Sequence, residues 1–139
     1  MSNAVTNLDR LAAKHAQEVI KNTENEKPSD VENTVTKALG VLQENGVYAC
    51  FLYLLAKEKK NGKAVVQEML KLLESLGFGW VSPSSDNPQI ILSHITDKVT
   101  INLERLLLTK ETLEQMLIYA RYGAKAREAA KQPKEEANP

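Results

Sequence analysis

Two histidines and one cysteine are the side chains of this 139-residue chain best suited to chemistry near neutral pH, and their spacing argues against it. His15 and His94 lie far apart without a ligand pattern between them. His15 falls beside the apolar stripe of a helix, where a structural role is expected. His94 has Ser93 beside it and Asp97 three residues on, yet a nucleophile and its base must come from separate elements with defined geometry. Only convergence of His15, His94 and Asp97 in one cleft would make a helical nuclease or other hydrolase. Cys50 sits in an apolar run and reads as a core residue, since a reactive thiolate needs an electropositive, accessible setting. A lone cysteine also excludes an internal disulfide framework and a multi-cysteine zinc site. Lys60-Asn61-Gly62-Lys63 lacks the first glycine of a phosphate-cradling loop. The expectation is no catalytic set, no metal site and no cofactor.

Charge is more informative. Eighteen Lys and Arg balance eighteen Asp and Glu, for a net charge of zero, but the two signs are segregated. Residues 18–32 carry five acids against two lysines. Lys57, Lys59, Lys60 and Lys63 crowd one inter-helix turn, interrupted by Glu58 alone. Arg121, Lys125, Arg127 and Lys131 dominate the end of the last helix, with Tyr119 and Tyr122 beside them and Glu128 the one acid between Arg121 and Lys131. Such clusters can meet phosphates, and tyrosines beside them can stack on unpaired bases. The competing explanation is structural: lysines fill solvated turns, and basic residues suit helix C-termini. A protein interface would draw on the same tyrosines and arginines.

The elements that must position these residues are helical. With 42% hydrophobic and 26% charged residues the chain is ordinary globular material, and at this length folding hides roughly 68–70% of the unfolded surface. One helical domain over 1–131 and a solvated tail over 132–139 are expected. The longest apolar run, Val47 to Ala56, is about half a membrane span, and the start lacks the pattern of a secretory signal. A reducing cytoplasm and no membrane partner follow as expectations.

Asn7 is placed as the cap of a first helix bearing Leu8, Leu11, Ala12 and Val19, which stops at the polar stretch Thr23 to Pro28. Ser29-Asp30-Val31-Glu32 reads as a capping box for a second helix with Val31, Val35, Ala38, Leu39 and Leu42 on one face, ended by Asn45-Gly46. The third helix, Val47 to about Lys59, is apolar all round and is taken as the centre of the bundle. Asn61-Gly62 makes a turn before a helix from Ala64 to Leu76, which Gly77 closes. Phe78 to Gln89 is a loop, with a short extended piece at Trp80-Val81.

Residues 90–103 admit two readings. Asn87-Pro88 could open a helix, or the strict alternation of Val99, Ile101 and Leu103 around a Thr96-Asp97-Lys98 turn could form a small β-hairpin. Thr109 is placed as the cap of a final helix from Lys110 to about Ala130. Its wheel puts Leu113, Met116, Leu117, Ala120 and Ala124 on one face and Ile118, Tyr119, Arg121, Tyr122 and Lys125 on the other. Arg127 and Lys131 fall back on the apolar side, as if the helix had left the core by then. The fold class is mainly α, a single bundle of about five to six helices.

The run from Leu42-Gln43-Glu44-Asn45-Gly46-Val47 through Phe51-Leu52-Tyr53-Leu54-Leu55-Ala56-Lys57 resembles the small helical subunit of type III-B (Cmr-type) CRISPR RNA-targeting complexes. In that family a helix ends in a polar residue plus Asn-Gly, and an apolar helix finishing in Ala-Lys follows. The last helix, from Glu111-Thr112-Leu113 through Tyr119, Arg121, Tyr122, Ala124 and Ala126, is similar to the family's closing helix, with tyrosine at position 119 where the family usually has tryptophan. Phe78 to Leu108 has no counterpart, and the related Csm-type small subunit also ends in a tyrosine-rich helix.

The resemblance implies a non-enzymatic subunit that stacks with copies of itself beside the other subunits of the effector complex. It would hold the target single-stranded RNA along the guide RNA by contacts that do not read sequence. On that reading Lys57, Lys59, Lys60 and Lys63 lie on one phosphate path and Arg121 and Lys125 on another, with Tyr122 flanking. The alternative is a small protein-binding adaptor without nucleic-acid contact, motivated by the zero net charge.

Overall fold

Asn7 Oδ1 accepts the amide of Arg10 at 3.0 Å and opens α1 (Leu8–Asn22), as its residue type requires. The computed structural model describes residues 7–131, and the expected tail over 132–139 lies outside them. The remaining elements are α2 (Pro28–Asn45), α3 (Val47–Lys57), α4 (Lys60–Ser75), α5 (Pro88–His94) with a π-helical turn at Ile95–Val99, and α6 (Leu103–Lys131). The mainly-α single bundle is the fold observed.

Several boundaries differ from those expected, each for a local reason. The capping box at Ser29 does not form, because α2 starts two residues earlier than that cap requires, at Pro28, with Lys27 before it and no side-chain cap. Proline has no N–H to lose and a φ already set for the first helical position. Asn61-Gly62 is no turn: α4 begins at Lys60, and Gly62 is buried in its first turn. Thr109 caps nothing and is buried inside α6, which starts at Leu103. There Asn102 Oδ1 accepts the amide of Arg105 at 3.0 Å.

The hairpin over 90–103 is corrected to helix. Asn87 Oδ1 accepts the amides of Gln89 and Ile90 at 2.8 and 3.4 Å, with Pro88 at the first position. Ile91, Ile95 and Val99, four apart, are all buried, whereas Ile101 is 74% and Leu103 67% exposed. A strand would have put Val99, Ile101 and Leu103 on one face. The amide of Thr100 reaches back five residues to the carbonyl of Ile95 at 3.1 Å, the π-type bond that ends the turn.

The centre of the bundle is α6, not α3. The α6 helix lies along both α1 and α2, burying Leu113, Met116, Leu117, Ala120 and Ala124 on the face expected for it. The α3 helix buries Val47, Cys50, Phe51 and Leu54 but leaves Tyr48 38% and Leu52 44% exposed. Gln43 of α2 donates to Glu114 of α6 at 2.8 Å, and Lys125 of α6 pairs with Glu32 of α2 at 3.4 Å, so these two helices run antiparallel. Among the described residues no helix is long and apolar enough to cross a membrane.

Past Ala124 no described residue of α6 is buried, so the helix leaves the core there as expected, but Arg127 is half-buried and engaged. The Arg127 guanidinium donates to the carbonyls of Thr23, Glu24 and Glu26 at 3.0, 2.7 and 2.7 Å, closing the α1–α2 turn. The Thr23 carbonyl also accepts the Glu26 amide at 2.9 Å; charge-assisted bonds such as those from Arg127 contribute more than neutral ones. Arg127→Met is therefore expected to lower stability by about 2 kcal/mol, measured by urea unfolding. In α2, a methyl group added at Gly40 meets nothing within 4 Å. Gly40→Ala is expected to raise stability by about 0.5–1 kcal/mol through helix propensity, seen as an increase in the urea midpoint at unchanged slope.

Candidate nucleic-acid interface

The α3–α4 corner is two residues long. Glu58 is extended (φ −99°, ψ 141°) and ends α3, and Lys59 precedes α4. Glu58 is also the one acid within the Lys57–Lys63 cluster, and its carboxylate is already engaged. Oε1 accepts from Thr34 Oγ1 of α2 at 2.7 Å, and Oε2 from the Tyr53 hydroxyl at 2.9 Å. The Tyr53 phenol is held above its usual range by burial first and by Glu58 second.

With Glu58 turned toward α2 and α3, the start of α4 has neither a side-chain cap nor an acid in its first turn. The amides of Lys60, Asn61 and Gly62 precede the first intrahelical bond, which runs from the Lys63 amide to the Lys59 carbonyl at 2.9 Å. Cations are disfavoured at a helix N-terminus, yet Lys57, Lys59, Lys60 and Lys63 all surround this one. Free amides and ammonium groups at this corner are donors for an anion, and Glu26, Asp30 and Glu58 line the same depression as Lys57, Lys59 and Lys60.

Two shallow depressions of about 500 Å³ each meet at Lys60 and Asn61. One runs beside α2 and includes Lys57 and Lys59. The other runs between the α1–α2 turn and α4 and includes Lys63 and Lys71. The structure thus brings the four expected lysines together and adds Lys71, which stands outside the sequence cluster and is found only by its place on the same side of α4. Two of the four are partly neutralised by acids from other elements. Lys60 Nζ lies 3.9 Å from Glu26, and Lys63 Nζ lies 3.0 Å from Asp86 in the loop before α5.

Arg121, Tyr122 and Lys125 line neither depression. Tyr122 is 62% exposed, Lys125 is paired with Glu32, and Arg121 is half-buried with its Nε unpartnered. Tyr119 is not free to stack: its hydroxyl is hydrogen-bonded to Asp9 of α1, which holds the phenol above its usual range.

The histidines do not converge. His15 Nδ1 is 2.8 Å from Oε1 of Glu68, a carboxylate buried on α4 whose other oxygen is 3.2 Å from Lys71 Nζ. His94 lies in a different environment, with Lys98, Glu74 and Asp97 as its charged neighbours; burial, and Lys98 after it, lower its pKa. Burial pushes the Cys50 thiol up to about 12, with Sγ 3.5 Å from the carbonyl of Ala38. Among the described residues no three His, Cys, Asp or Glu are grouped so as to hold a metal ion. Comparison with protein-family models, with curated proteins and with solved structures gives no match.

Proposed function

We propose that the chain is a non-catalytic small subunit of a type III-B CRISPR ribonucleoprotein, holding target RNA along the guide through sequence-independent basic contacts. The observation that carries this reading is the uncapped start of α4, with its free amides and four surrounding lysines. Lysines and backbone amides position a phosphate backbone without reading its sequence. The Leu42–Lys57 run that resembles the family corresponds to the α2–α3 junction, where Gly46 takes φ +99°. Tyr122, exposed on α6, remains available to a base.

The test is reconstitution of the ribonucleoprotein with Lys57→Glu and Lys60→Glu combined. Target-RNA retention is expected to fall about tenfold at physiological salt, and the slope of log K against log salt to shrink by about 0.7 per lost contact. Arg121→Glu with Lys125→Glu tests the second path in the same assay. A second reading, a protein-binding adaptor, draws on the exposed Tyr48 and Leu52 of α3. Affinity purification of the tagged chain from its native cells separates the two. Guide RNA of uniform length with several co-purifying chains supports the first, and one protein partner without enriched RNA overturns it.

A further inference from the structure

Adjoining the two depressions at Glu58, Lys59, Lys63 and Gln67 lies a cleft of about 220 Å³ between the end of α3, α4 and the start of α5. It is smaller than the pockets that enclose drug-sized ligands. Its floor is aliphatic, made by Leu54, Val66 and Ile91, which are themselves buried, with Pro88 at the side. Its rim is charged: Lys59 and Lys63 from the basic corner stand on it, facing Asp86. Asp86 reaches across the mouth to Lys63 at 3.0 Å and accepts from Gln67 Nε2 at 3.3 Å. Both Lys63 and Asp86 are well exposed, so this pair is held weakly.

The geometry points to a subsite for one splayed nucleotide of a single-stranded RNA, its base on the aliphatic floor and its phosphate on Lys59 and Lys63. This rests on the RNA-binding reading above and adds to it a base-holding pocket and a competing anion. The cleft sets aliphatic side chains beneath a charged rim on which Gln67 and Glu58 are the other polar groups. The rim offers two ammonium groups, one with no ion pair among the described residues and one occupied by Asp86. The Asp86 carboxylate takes the place that a phosphate oxygen would take, so RNA entry exchanges one anion for another at Lys63. The two acids of the rim, Asp86 and Glu58, are both held by protein donors, which lessens their repulsion of the incoming strand.

The experiment uses the full chain and a short fluorescein-labelled oligouridylate read by anisotropy. A second oligomer, carrying one fluorescent adenine analogue that brightens on leaving its stack, reports the base. Asp86→Asn is expected to tighten binding about threefold by releasing Lys63. Val66→Phe, which fills the cleft from its floor, is expected to weaken binding about tenfold and abolish the brightening. A thermal melt of Val66→Phe checks its fold, and Asp86→Asn carries the test independently because it changes only the rim. If Lys57→Glu with Lys60→Glu weakens binding while Asp86→Asn and Val66→Phe leave affinity and brightening as in the wild type, the nucleotide subsite is overturned and RNA binding stands. If neither the chain nor its reconstituted complex holds RNA through any of these residues, the reading beneath it falls as well.

Discussion

Glu68→Ala is expected to lower the stability of the bundle by about 3 kcal/mol, against almost nothing for His15→Leu combined with Glu68→Leu. Glu68 is 1% exposed on α4, and its carboxylate joins His15 of α1 to Lys71 one turn on. Truncating it leaves a cavity and strips the His15 ring of its only hydrogen-bond partner among the described residues, since Nε2 is already buried without one. A buried polar group left unpaired loses the full benefit of water, whereas removing both members leaves nothing to desolvate. The paired apolar substitution fills the same α1–α4 interface with leucine and is expected to cost less than about 1 kcal/mol. Chemical unfolding of the wild type, both single variants and the double variant completes the cycle. A double variant as unstable as Glu68→Ala would mean that packing volume, and not the polar pair, holds α1 to α4.

The same pair shows where reading the sequence stops. Faces defined by apolar spacing were legible: Leu113, Met116, Leu117, Ala120 and Ala124 of α6 are buried as their period requires, and Asn7 caps α1. Positions ruled by one polar contact were not. Glu68 stands in a run whose neighbours Val65, Val66, Met69 and Leu70 are all buried, and a glutamate there reads as surface until His15, 53 residues away, supplies its partner. Alternation over 99–103 suggested a strand because β-branched residues favour one, but Asn87 and Pro88 had already set a helix whose buried period includes Val99. Arg127 does lie past Ala124, the last buried residue of α6, but its use against the carbonyls of the α1–α2 turn could not be read from the helical period. In the candidate site, the lysine cluster was legible from residue type alone. That the Glu58 carboxylate is engaged by Thr34 and Tyr53, that Asp86 and Glu26 reach into the cluster, and that Lys71 joins it depend on tertiary neighbours.

Gly62→Ala is expected to cost about 2 kcal/mol, the reverse of Gly40→Ala although both glycines lie inside helices. Propensity alone predicts a gain of about 1 kcal/mol at either position. At Gly62 a Cβ would lie 2.3 Å from Cβ of Glu58 and 3.0 Å from the carbonyl oxygen of Leu54. Neither is the free end of a flexible side chain. One is fixed to the two-residue corner and the other is backbone at the end of α3, so the whole α3–α4 angle must open. Opening it pulls Glu58 away from the Thr34 and Tyr53 hydroxyls that hold its carboxylate, adding lost hydrogen bonds to the strain. It also moves Lys59, Lys60 and Lys63 relative to Lys57. Target-RNA retention is accordingly expected to fall in Gly62→Ala even where the variant is folded, while Gly40→Ala retains RNA as the wild type does. Urea midpoints of the two variants, set beside retention in the reconstituted complex, check both parts. Equal stability at the two sites would show that the corner yields without cost. A strained Gly62→Ala that still held RNA normally would detach the start of α4 from the phosphate path.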